Sequence, residues 1–93
     1  LIGWSDLGTW GSIDKHLQHD EKGNAVIGKN AMLYNSNNCI VNVSKDKIAV
    51  IEGLDDYIIV ESNNIILICR KTDEQKIRNF VNDVKIEKGE KYI

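Results

Sequence analysis

The chain has 93 residues, with 12 Lys and Arg against 14 Asp and Glu, a net charge of −2, two Cys and no Pro, a length that holds one small domain and excludes a second full core. Ile, Val, Leu and Phe supply 28 of the 93 residues, too many branched apolar side chains for a disordered segment. The acidic and basic residues are interleaved and no apolar run approaches the roughly 20 residues of a bilayer span, so no nucleic-acid partner and no membrane partner are expected.

In chain order, the first element is a short amphipathic helix over Thr9 to Gln18, where Trp10, Ile13 and Leu17 fall at i, i+3 and i+7 behind a Thr9 cap. His16 and His19 stand three apart but lack a third ligand nearby, and read as surface histidines. After the polar stretch 18–23 the period changes. Six β-type runs follow: Ala25 to Gly28, Ala31 to Tyr34, Cys39 to Val43, Ile48 to Glu52, Tyr57 to Glu61 and Ile65 to Cys69. Asn37-Asn38, Lys45-Asp46, Asp55-Asp56 and Asn63-Asn64 separate them as turns.

The centres of these runs advance by seven to nine residues, which favours a repetitive β stack or meander over a βαβ unit, yet is too irregular for a strict six-residue repeat. Ile48-Ala49-Val50-Ile51 and Ile65-Ile66-Leu67-Ile68 are apolar on both faces, so both runs are expected to be covered on both sides. The cover predicted is a helix from about Asp73 to Val84, opened by a Thr72 and Gln75 capping box, with Ile77, Phe80, Val81 and Val84 docking as one stripe. Lys85, Lys88 and Gly89 suit its C-terminal end. Cys39 and Cys69 lie inside apolar runs and read as buried reduced thiols. Asn42-Val43-Ser44 matches a glycosylation acceptor but reads as strand.

The densest chemistry sits in Gly3-Trp4-Ser5-Asp6-Leu7-Gly8-Thr9-Trp10. A carboxylate between two Trp and two Gly ahead of a helix is either a metal ligand or a cap of the following turn, and spacing leaves both open. No phosphate-cradling glycine loop, no G-x-S-x-G and no Cys-His couple accompanies it, so a complete catalytic site is not expected.

That box, with Asp20-Glu21-Lys22-Gly23-Asn24-Ala25-Val26, Asn37-Asn38-Cys39-Ile40-Val41, the stretch from Ile48 to Val60 and a Gln75-containing last helix, resembles the C-terminal part of mannose-1-phosphate guanylyltransferases over almost the whole chain. W-S-D-x-G-[ST]-W is that family's form of a W-x-D-x-G-T box found more widely among sugar-nucleotide pyrophosphorylases. The resemblance implies a parent nucleotidyltransferase that joins GTP and mannose 1-phosphate into GDP-mannose and pyrophosphate with Mg²⁺, and it makes Asp6 the second metal-binding Asp of the family.

It further implies that residues 1–19 are the tail of an upstream catalytic domain. Residues 20–93 become a mainly β domain, an irregular left-handed β-helix-like stack of short strands with a terminal helix. The fragment alone is then inactive, packs on its own catalytic domain, contributes to a homodimer and works in the cytoplasm. A start without Met places the natural beginning upstream, and the end at Tyr92-Ile93 suggests the short form that lacks a cupin-type isomerase domain. The competing reading is a non-catalytic β-solenoid interaction or carbohydrate-binding module, which leaves the Trp4 to Trp10 box without a purpose.

Overall fold

The computed structural model describes residues 17–28, 30–62 and 64–89. Asp6, the Trp4 to Trp10 box, His16 and nearly all of the expected first helix lie outside them. Among the described residues six strands form: β1 (Ala25–Ile27), β2 (Ala31–Tyr34), β3 (Ile40–Asn42), β4 (Ala49–Glu52), β5 (Tyr57–Ser62) and β6 (Ile65–Arg70). A 3₁₀ segment (Lys71–Lys76) leads into helix α1 (Ile77–Lys88).

Strands pair with their next-but-one neighbours, so the chain coils. β1, β3 and β5 stack in parallel, β2 and β4 stack in parallel beside them, and Asn37 bridges Asp55 on a third side. Ile40 faces Ile58, Ala31 faces Ala49 and Asn37 faces Asp55, each 18 residues on, whereas Ala25 faces Ile40 only 15 residues on. The difference sits in one corner. Residues 28–30 join β1 to β2, but residues 43–48 join β3 to β4, three more, and this insertion is what blurs the repeat in the sequence.

The other corners repeat faithfully. Asn35 and Gly53 turn in the left-handed region at φ of 50° and 79°, and Asn38 and Asp56, again 18 apart, at 56° and 63°. Asn and Asp tolerate that region because a short polar side chain bonds locally, so the Asn37-Asn38 and Asp55-Asp56 pairs are turns as read. The coil stops after β5. The chain then reverses, and β6 pairs antiparallel with β5, Ile59 opposite Ile68 and Glu61 opposite Ile66.

Alternation sorts the side chains into two cores. Val41 and Ile59 point into the coil with Cys39, Val43 and Ile51, while Ile40, Ile58, Val60 and Cys69 point out of it and are covered by Ile77 of α1, with Leu17 and Val81 packed alongside. Two-sided burial therefore belongs to β3 and β5. The two runs expected to be covered on both sides are each open on one face among the described residues: Ile48 is 75% and Val50 67% exposed, Ile66 68% and Ile68 55%.

The end of the chain corrects two expectations. Residues 71–76 form a 3₁₀ segment without a side-chain cap, so Thr72 and Gln75 do not make a capping box, and the α-helix runs from Ile77 to Lys88 instead of Asp73 to Val84. Within the stripe Ile77 is fully buried whereas Phe80 lies 38% exposed, so Ile77 is the anchor. Gly89 closes the helix at φ 86°, its N–H donating to the Lys85 carbonyl, as its sequence position implies.

Candidate functional site

Two polar columns hold the coil, and each connects three levels of it. The first starts at Asp20, whose carboxylate accepts from the Lys22 and Asn24 backbone N–H groups, both at 2.9 Å, and from Asn24 Nδ2 at 3.3 Å. Asn24, buried, passes the connection on: Nδ2 donates to the Ser36 carbonyl at 2.9 Å and Oδ1 accepts from the Cys39 N–H at 2.9 Å. Ser36 Oγ in turn accepts from the Leu54 N–H at 3.2 Å. Partial desolvation raises the Asp20 carboxyl, but the Asn24 and Lys22 hydrogen bonds and the Lys22 charge together outweigh it and the net shift is downward.

The second column clasps the inserted corner from both sides. From the coil before it, Asn30 Nδ2 reaches the carbonyls of Val43, Ser44 and Lys47 at 2.8, 2.6 and 3.0 Å. From the strand after it, the buried Glu61 carboxylate accepts from Ser44 Oγ and from the Ser44 N–H at 2.9 Å, with Lys47 Nζ 3.6 Å away. The Ser44 hydrogen bonds, aided by Lys47, hold Glu61 below the usual carboxylate range. Asn24, Asn30, Ser36 and Glu61 escaped the sequence reading; the one signal for the two Asn is a surplus of that residue, ten in all, in a chain otherwise rich in β-formers, and Ser36 and Glu61 carry none.

Neither column has the makings of a catalytic centre. Among the described residues no three His, Cys, Asp or Glu side chains converge to hold a metal ion, and His19 is exposed at the mouth of a wide polar depression with Asp20 and Asn24. Cys39 and Cys69 are buried and not joined in a disulfide, and burial pushes both thiols up, away from a reactive thiolate. No described helix is long and apolar enough to cross a membrane.

What the coil offers is surface. The outer side of the β2–β4 sheet carries Met32, Tyr34, Ile48 and Val50, all about half or more exposed, with Met32 opposite Val50. A second apolar area lies at the coil's C-terminal end. There Ile66 and Ile68 continue the inward-facing side of the coil past its last turn, and a groove of about 80 Å³ runs between β6 and α1, lined by Ile65, Ile66, Leu67, Phe80, Val81 and Val84. Contiguous apolar patches of this kind mark contact surfaces more often than catalytic centres.

The family model of the MannoseP isomerase/GMP-like beta-helix domain matches residues 29–84, which include five of the six strands and most of α1. The chain belongs to this beta-helix domain family. The alginate biosynthesis protein AlgA of Pseudomonas aeruginosa is 35% identical over 83 residues, covering 88% of this chain and 17% of that protein. The mannose-1-phosphate guanylyltransferase of Klebsiella pneumoniae is 29% identical over 89 residues, covering 96% and 18%. In three dimensions the crystal structure of mannose-1-phosphate geranyltransferase from Thermus thermophilus superposes with a TM-score of 0.65 at 17% identity, over 86% of this chain and 24% of that one. The chain thus spans less than a fifth of the length of these two curated relatives.

Proposed function

We propose that this beta-helix domain is the non-catalytic module of a mannose-1-phosphate guanylyltransferase, a cytoplasmic enzyme that converts GTP and mannose 1-phosphate to GDP-mannose and pyrophosphate. The observation that carries the reading is the match to curated guanylyltransferases along nearly the whole chain, 96% of it for the Klebsiella protein. The open apolar faces are in keeping with a supporting role. On this reading residues 1–19 close the catalytic domain and the module begins at Asp20, where the first polar column starts. The coil winds left-handed, the β2–β4 face packs on the catalytic domain, and the module contributes to a homodimer.

Asp6 would hold Mg²⁺ in the complete enzyme, where the ion neutralises phosphate charge and orients the reactants. The complete protein should form GDP-mannose from GTP and mannose 1-phosphate only with Mg²⁺. Asp6→Ala should lower turnover on the order of 100-fold or more without unfolding it. A complete protein that makes no GDP-mannose overturns the reading, and near-normal turnover in Asp6→Ala returns Asp6 to capping a turn. Sub-micromolar GTP binding by the 93-residue chain alone would also count against it, since that affinity needs about 8 kcal/mol of contacts.

A further inference from the structure

Among the described residues β6 is the outermost strand of its sheet, so one edge of Ile65–Arg70 presents unpaired backbone N–H and C=O groups. Natural edge strands are blunted by Lys, Pro, a bulge or an inward charge, and the run Ile65-Ile66-Leu67-Ile68-Cys69 has none of these. Beside this strand runs the groove that Ile65, Ile66 and Leu67 form with Phe80, Val81 and Val84 of α1. The opposite face of β6 is bare for a topological reason. A third turn of the coil would have brought a strand beside β4 to cover Ile66 and Ile68, but the chain reverses into β6 instead.

We infer that a second copy of this chain occupies that edge, β6 pairing antiparallel with β6 across a two-fold axis at Leu67. The strand is self-complementary about that residue. With Leu67 opposite Leu67, each exposed Ile66 meets the partner copy's exposed Ile68 on one face, and Ile65 meets Cys69 on the other. The one charged side chain of the strand, Arg70, falls opposite uncharged Asn64, so no like charges are opposed. An isologous contact of this kind closes at two copies and satisfies both edges at once. The inference rests on the homodimer reading above and assigns its surface.

The test is made in the complete protein by sedimentation across a concentration series. Ile66→Lys/Ile68→Lys changes two exposed side chains, so the protomer should melt as before, while ammonium groups opposed across the two-fold should weaken self-association about tenfold or more. Leu67→Cys should give a covalent dimer under mild oxidation, because opposed residues of an antiparallel pair lie about 4.5 to 5.5 Å apart at Cα, within disulfide range. The wild type, with both native thiols buried, supplies the background. A dimer that survives the two lysines and gives no Leu67→Cys cross-link overturns the β6 surface while leaving the homodimer standing. A wild type that stays monomeric to high micromolar concentration overturns both.

Discussion

The coil from Asn24 to β5 and the cap formed by β6, the 3₁₀ segment and α1 solve the same problem by different means. In the cap a local turn brings β6 back against β5, so register follows from chain connectivity, and the helix is fixed by apolar contact at Ile77. In the coil each parallel pair is separated by 15 or 18 residues, and no tight turn sets its register. There the alignment is enforced by side-chain hydrogen bonds at the corners, buried at Asn24 and part-buried at Ser36, Asn30 and Glu61. Parallel stacking at long separation calls for polar corner locks, whereas a hairpin with a helix can rely on hydrophobic burial.

Substitutions should separate the two regimes. The largest effect is expected in the cap: Ile77→Ala leaves a cavity at a fully buried position and should cost about 3 kcal/mol or more in chemical denaturation, with the helix signal in circular dichroism lost first. A melt in which strands and helix vanish together and unshifted would erase the distinction.

Asn24→Ala tests the coil. It removes the partner of the buried Cys39 N–H and Ser36 carbonyl without changing apolar burial, and should cost about 2 kcal/mol, with faster amide exchange at Cys39 and Ala25 while α1 exchanges as before. Gly23→Ala should cost about 1 to 2 kcal/mol at the same corner. Gly23 has φ 81°, and an added Cβ would sit 2.3 Å from Asn38 Oδ1, so the Asn38 side chain would have to turn away.

Acid should act on the coil before the cap. Glu61 has its folded-state value held below the ordinary 4.5, so its contribution is complete above that pH and is lost as pH falls through the depressed folded value. Stability measured between about pH 7 and pH 3 should decline, and Glu61→Gln should flatten the decline while lowering stability at neutral pH by about 1 kcal/mol. An unchanged slope in the variant would show that Glu61 is not part of the lock. The smallest effect belongs to Phe80→Ala. Partly exposed, it should cost no more than about 1 kcal/mol, well short of Ile77→Ala on the same helix.

The strands were legible because each is a short, mostly apolar run between Asn, Asp or Gly turns, and β2 begins and ends where the residues place it. Spacing alone left their coiling open between a stack and a meander, and only the family resemblance implied the β-helix, because three extra residues at 43–48 break the period while Asn30 and Glu61, far apart in sequence, absorb the extra length. Helical periodicity identified the stripe of α1 but not its depth, since only the placement of Ile40 and Ile58 decides that Ile77 is enclosed and Phe80 is not. The candidate site divided similarly. The apolar runs were legible but not their open faces, since periodicity predicted cover over Ile48, Val50, Ile66 and Ile68, and Glu61 reads as an ordinary strand-end acid until Ser44 is seen beside it.

The reversal into β6 has a consequence for growth. A parallel coil has no intrinsic length: the edge of its last strand is a template on which another turn, from the same chain or a different one, can be laid indefinitely. By turning β6 against β5 in the opposite sense and covering the outward side with α1, the chain terminates that template with a strand of the wrong polarity for further winding. The segment from Ile65 to Lys88 is therefore expected to stop end-to-end growth, and shortening the protein to Ser62 should release fibrous stacks where the intact chain remains discrete.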